Sequence, residues 1–76
     1  MRPRMTNHFI TRMHERGISL DDVKKCLRSP DGISDAGDGK IEAHKSLDGG
    51  KTITVIYFKL TRTADELVLV TAYYSL

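Results

Sequence analysis

The chain has a single cysteine, Cys26, so no disulfide can close within it, and that usage fits a reducing compartment. No apolar run approaches the roughly 20 residues that a membrane-spanning helix needs. The opening stretch, MRPRMTNH, carries charge with no apolar segment behind it, unlike a secretory signal. These absences lead to the expectation of a soluble, cytoplasmic chain with no membrane partner. One dominant sign of charge is lacking as well, since the formal net charge is only +2. With 76 residues the chain is expected to form one domain, 1–76. A domain this small buries only about 60% of its unfolded surface, so a partner or second copy covering an apolar face is a fair expectation.

The charge is unevenly placed. Through Arg28, seven basic residues stand against three acidic ones, a net +4; from Ser29 onward five stand against seven, a net −2. A basic front half steers toward phosphate, and ordinary surface charge explains the same balance almost as well.

Periodicity organises the chain into two helices followed by strands. Thr6 is placed to cap a helix running to about Arg16, and Gly17 supplies the left-handed residue that ends it. Phe9, Ile10 and Met13 cluster on one side of that helix, while His8, Arg12 and Glu15 form a separate polar column. In ISLDDV, Ser19 is the N-cap of a second helix and Asp22 an acidic capping-box partner. Leu20, Val23 and Leu27 form its core stripe, and Pro30 enforces its end. After a turn-rich segment with a short edge strand at Ile33–Asp35, the stretches 40–47, 52–60 and 67–74 read as strands, with turns at 48–51 and 61–66. The expectation is an α+β fold, a two-helix hairpin packed on a three- to four-stranded antiparallel sheet. A two-residue loop at Gly49–Gly50 places Ile41, Ala43, Leu47, Thr54, Ile56 and Phe58 under the helices. It leaves Glu42, His44, Ser46, Ile53, Val55 and Tyr57 on an uncovered face. A one-residue slip exchanges the two faces.

Several chemical motifs fail on their context. GGKT, 49–52, has Lys45 where a phosphate-binding loop needs its first glycine, and it precedes a strand instead of a helix. Asp31, Asp35 and Asp38 match turn chemistry better than a calcium loop. His8 and His14 face different sides of their helix, so no zinc pair arises, and no metal or cofactor is expected. Cys26 has no base nearby and reads as a packing residue. His8 and Arg12 carry two readings of equal weight. One is a solvated helix face, with Arg12 pairing Glu15. The other is phosphate chemistry, with histidine exchanging a proton near neutrality and arginine offsetting phosphorane charge.

HFITRMHERGISLDDVKKCLRSP, followed by GK and strands ending LVLVTAYY, resembles a family of small bacterial, archaeal and phage domains. Their shared pattern is His-x-x-x-Arg-Met-x-x-Arg-Gly-Ile, then Ser-x-x-Asp-Val, then Val-Thr-Ala-Tyr. That family is grouped with the RelE/ParE-like toxins and the barnase- and colicin-like ribonucleases. The resemblance implies a RelE-like fold and a metal-independent endoribonuclease of toxin type, with His8, Arg12 and Tyr73 as catalytic residues. RNA and an antitoxin protein are the implied partners. Arg16, in the Arg-Gly-Ile joint, together with His44, Lys45, Tyr57 and Arg62, is expected to contact nucleic acid. The central strands lack the dense lysines and arginines of the ribosome-dependent toxins, and ParE-like relatives poison gyrase without cutting RNA. The alternative is a non-catalytic protein-binding module that meets a partner or a second copy through the uncovered face, with Val55, Tyr57 and Tyr74.

Overall fold

A computed structural model describes residues 2–59 and 66–76. The elements run β1 (Arg2–Met5), α1 (Asn7–Glu15), α2 (Leu20–Arg28), β2 (Gly32–Gly37), β3 (Lys40–Ser46), β4 (Thr52–Lys59) and β5 (Glu66–Ser75). The fold is α+β: two helices pack on one face of a sheet ordered β1-β5-β4-β3-β2. The expected turn at 61–66 lies outside the described residues up to position 65, and its last residue, Glu66, opens β5.

Both helices begin and end where their capping residues stand. Thr6 accepts a hydrogen bond from the Phe9 amide at 3.1 Å, and Phe9 and Met13 are buried. At the other end Gly17 has φ +64°, and the Ile18 amide donates to Met13 O at 2.9 Å while the Gly17 amide donates to His14 O at 3.1 Å. This paired pattern closes a helix and drives the next residue, Ile18, into the core. Ser19 then caps α2, accepting from the Asp22 amide at 3.4 Å. The buried arc of α2 runs through Val23, Cys26 and Leu27, which leaves Leu20 exposed at its margin, not in the core stripe.

The sheet is larger than expected and mixed. β1 pairs in parallel with β5, Met5 opposite Leu69, whereas the other neighbours are antiparallel. The RPRM stretch carries too much charge, and a proline, to read as a strand. It serves at the sheet's edge, where a strand uses only one row of backbone groups and the missing amide of Pro3 is tolerated. Beyond β1, β5 is bulged: Ile56 pairs Thr71 and Tyr57 pairs Leu69, so Val70 is an extra residue.

The register of β3 against β4 differs from the expectation by one residue. Ser46 pairs Thr52, and the connection is five residues long, with a single helical turn at Asp48–Gly50 and the Leu47 amide donating to Lys51 O at 2.7 Å. Ala43 therefore pairs Val55 and Ile41 pairs Tyr57. The helix-covered face carries Ile53, Val55 and Tyr57, all buried, while Thr54, Ile56 and Phe58 turn to the opposite face. β4 is apolar on both sides, so its own pattern does not choose; the odd length of the loop does.

The joint between α2 and β2 is held by Asp31. Its amide donates to His44 O at 2.8 Å, its Oδ2 accepts from the Ser46 amide at 2.7 Å, and Lys45 Nζ lies 3.8 Å from its Oδ1. The Ser46 amide, with Lys45 and His44 nearby, holds its carboxyl below the usual aspartate value. A carboxyl depressed in the folded state stabilises the fold above its unfolded value and loses that contribution as pH falls. Asp31→Asn should therefore flatten the acid loss of stability below about pH 4, followed by urea denaturation at a series of pH values; an unchanged acid limb refutes this role. In the core, Ile53→Ala should cost about 2–5 kcal/mol in the same assay.

Candidate functional site on the edge of β5

His8 and Arg12 on α1 and Arg16 at its C-cap recur every four residues and lie beside the buried Phe9–Met13 stripe. His8 and Arg12 are both exposed. Among the described residues no carboxylate lies within ion-pair distance of Arg12, so the expected pairing with Glu15 does not form. Its guanidinium is free to meet an anion.

Arg16 does something different. Its Nη1 donates to Thr71 Oγ1 at 2.9 Å and to Ala72 O at 3.0 Å. β1 has already ended opposite Leu69, so Arg16 reaches a part of β5 that β1 leaves unpaired. The residue expected to contact nucleic acid ties the end of α1 to the bulged strand. From Thr71 the next residue on the same face is Tyr73, which pairs Thr54, lies opposite the helices and is 37% exposed. The column of His8 and Arg12 and the phenol of Tyr73 are thus connected through Arg16 and β5. No hydrogen bond joins the three to one another.

The remaining expected residues scatter. Lys45 is on the helix-covered face, where its Nζ donates to Ser29 O at 2.8 Å and closes the end of α2. Tyr57 is buried beneath the helices, and burial raises its hydroxyl pKa. Arg62 lies outside the described residues. His44 is exposed on the open face and lies across Gly32, where an added Cβ would fall 2.7 Å from its Nε2. The interface expected at Val55, Tyr57 and Tyr74 is covered: all three face the helices. Tyr74 Oη donates to Asp22 Oδ2 at 2.6 Å and accepts from the Ser19 amide at 3.1 Å. Lys51 Nζ stands 4.5 Å above its ring. The phenol of Tyr74 so takes the place that the acidic side chain of a capping box would fill.

Thr71 and Thr54 were not singled out by sequence reasoning. Thr71 sits within the VTAYY stretch, but its bond to Arg16 spans 55 positions and has no local signal. Cys26 is a packing residue, as expected: burial pushes its thiol up to about 11, which leaves it protonated at neutral pH. Among the described residues no group of three or more His, Cys, Asp or Glu side chains could hold a metal ion. No helix among them is long and apolar enough to cross a membrane. A hollow of about 430 Å³ lies on the β2–β3 hairpin, lined by Ile33, Asp35 and Ile41 among others, at the far edge of the sheet from α1.

A family match covers residues 5–74, the span that holds both helices and strands β2 to β4 with nearly all of β5. The chain belongs to the family described as Domain of unknown function (DUF4258). Only Met5 of β1 falls within the matched span. No curated protein and no solved structure matches the chain. That description names no reaction.

The two arginines of α1 are expected to separate on substitution. Arg16→Ala should lower unfolding free energy by about 1 kcal/mol through its lost bonds to Thr71 and Ala72, whereas Arg12→Ala should stay within about 0.5 kcal/mol of the parent. Chemical denaturation of the two variants side by side checks the contrast.

Proposed function

We propose that this domain is an endoribonuclease of toxin type that cuts RNA phosphodiesters without a metal. The observation that carries the reading is the free guanidinium of Arg12 one helical turn from the exposed imidazole of His8, at the edge where Arg16 crosses to the strand bearing Tyr73. In such a cut the ribose 2′-oxygen attacks the adjacent phosphorus. The O2′–P bond forms and the P–O5′ bond breaks, leaving a 2′,3′-cyclic phosphate and a free 5′-hydroxyl. His8 takes the 2′ proton or delivers one to the leaving 5′-oxygen, and Tyr73 serves the other transfer. Arg12 offers paired donors to the non-bridging oxygens as charge builds on them. The resemblance of the helical motif and the VTAYY ending to RelE-like domains supports the same assignment, and with it an antitoxin protein as partner.

The protein-binding alternative would have to use other side chains of the open face than those named for it. Val55 and Tyr57 are in the core and the Tyr74 hydroxyl is bonded to α2.

Incubation of the purified protein with mixed RNA in EDTA tests the proposal, beside a His8→Ala variant shown to be folded by circular dichroism. Cleavage by the parent, with loss of about 10²–10⁴-fold in the variant, is the expected result. Equal rates in the two proteins reject His8, and an inert parent rejects the ribonuclease reading.

A further inference from the structure

The face of the sheet that the helices leave open is chemically divided. Near the β3–β4 turn its rows are His44–Thr54–Tyr73 and Ser46–Thr52–Ser75, read from the pairing of β3 with β4 and of β4 with β5. These carry five hydroxyls, an imidazole and no carboxylate. The row through Thr54 is shaped as a trough. His44 and Tyr73 stand two strand spacings apart, roughly 9–10 Å, with Thr54 between them. Thr54 is only 7% exposed, yet its hydroxyl makes no hydrogen bond to any described residue, and no buried side-chain oxygen of the described residues lacks a partner. The Thr54 oxygen therefore reaches solvent at the floor of the trough. The imidazole leans outward because Gly32 has no side chain to stop it, which widens the opening.

We propose that the His44–Thr54–Tyr73 row is a subsite for one unpaired nucleobase of a single-stranded RNA. This rests on the RNA reading above and adds where a neighbouring nucleotide lies and what class of RNA is taken. A flat, neutral ligand with donors and acceptors at its rim fits an aromatic wall, an imidazole wall and a hydroxyl floor. A phosphate does not, since the row holds no guanidinium or ammonium. A cation-bearing helix lies beyond that edge: Tyr73 is on the strand that Arg16 clamps to α1, and Arg12 stands one turn before Arg16, so a chain leaving the trough across β5 runs toward α1. A base within a duplex keeps its edges paired and cannot enter.

The test measures affinity apart from cleavage. A fluorescein-labelled 2′-O-methyl RNA dodecamer has no 2′-hydroxyl to attack phosphorus, so its anisotropy reports binding alone; the same strand annealed to its complement is the duplex probe. Single strand should bind at least roughly tenfold tighter than duplex, and Tyr73→Ala should weaken it roughly tenfold through lost stacking. Tyr73→Phe keeps the ring and should keep the affinity. Thr54→Val, nearly the same shape without the hydroxyl, and Gly32→Ala, which pushes the imidazole over the trough, should each weaken binding several-fold. Lys24→Ala, on the helical layer, should leave affinity within twofold. Equal affinity for the two probes overturns the subsite, as does indifference to both Tyr73→Ala and Thr54→Val. If RNA is cut in a His8-dependent way while those variants bind like the parent, the subsite fails and the ribonuclease stands. If single strand binds through Tyr73 and Thr54 but the parent cuts nothing, the ribonuclease fails and the subsite stands. A dimer abolished by Tyr73→Ala, with neither RNA probe bound, assigns the face to a second copy and overturns the proposal.

Discussion

The five-residue connection from Leu47 to Lys51 decides which half of β4 meets the helices. Because it closes on the pair Ser46–Thr52, Ile53, Val55 and Tyr57 turn toward α1 and α2, and Thr54 turns away. β5 then follows β4: Ala72 is under the helices opposite Val55, and Tyr73 is on the open face opposite Thr54. A loop one residue shorter or longer moves every one of these side chains to the other side. The core, the covered tyrosines and the open-face row all depend on that single count.

A second constraint comes from β1 being short. It stops at Met5, opposite Leu69, while β5 continues to Ser75. The uncovered length of β5 is where the bulge at Val70 falls and where Arg16 donates to a strand carbonyl and a strand hydroxyl. An arginine in that position does two things. It gives hydrogen bonds to backbone that has lost its neighbouring strand, and it draws the helix bearing His8 and Arg12 toward the strand bearing Tyr73. Two residues further along β5, Tyr74 performs the matching task for α2 by inserting its hydroxyl between Ser19 and Asp22. Adjacent tyrosines thus have separate uses, because successive residues of a strand face opposite sides. Tyr74 is spent on packing, and Tyr73 is available.

The division of labour among the cations follows the same logic. Arg16 and Lys45 are bonded to backbone carbonyls, Arg4 lies 3.6 Å from Glu66, and Arg12 has no partner among the described residues. Net charge alone does not distinguish these roles. A charge satisfied by the fold contributes little to a ligand, so the small excess over the first 28 residues reduces, at the proposed site, chiefly to Arg12.

Local chemistry was enough to write the helices: Thr6 and Ser19 as caps, Gly17 as the stop, Phe9, Met13, Val23 and Leu27 as the buried stripe, Cys26 as packing. Each is a matter of bonds and spacings within a few residues, which the chain carries wherever it is. The same holds for the strands, β3 through its alternation of apolar and polar residues and β4 and β5 through their β-branched and aromatic runs. The candidate pair His8 and Arg12 was legible for that reason too, being one turn apart on one helix. What depended on partners far along the chain was not legible. The parallel seat of β1 beside β5, the odd-numbered loop that sends Tyr57 inward, the use of Arg16 on Thr71 and the meeting of His44, Thr54 and Tyr73 in one row all join residues remote in sequence. No local propensity encodes them. They are settled only when the sheet closes, because hydrogen-bond register, and not residue type, decides which side chains become neighbours across strands.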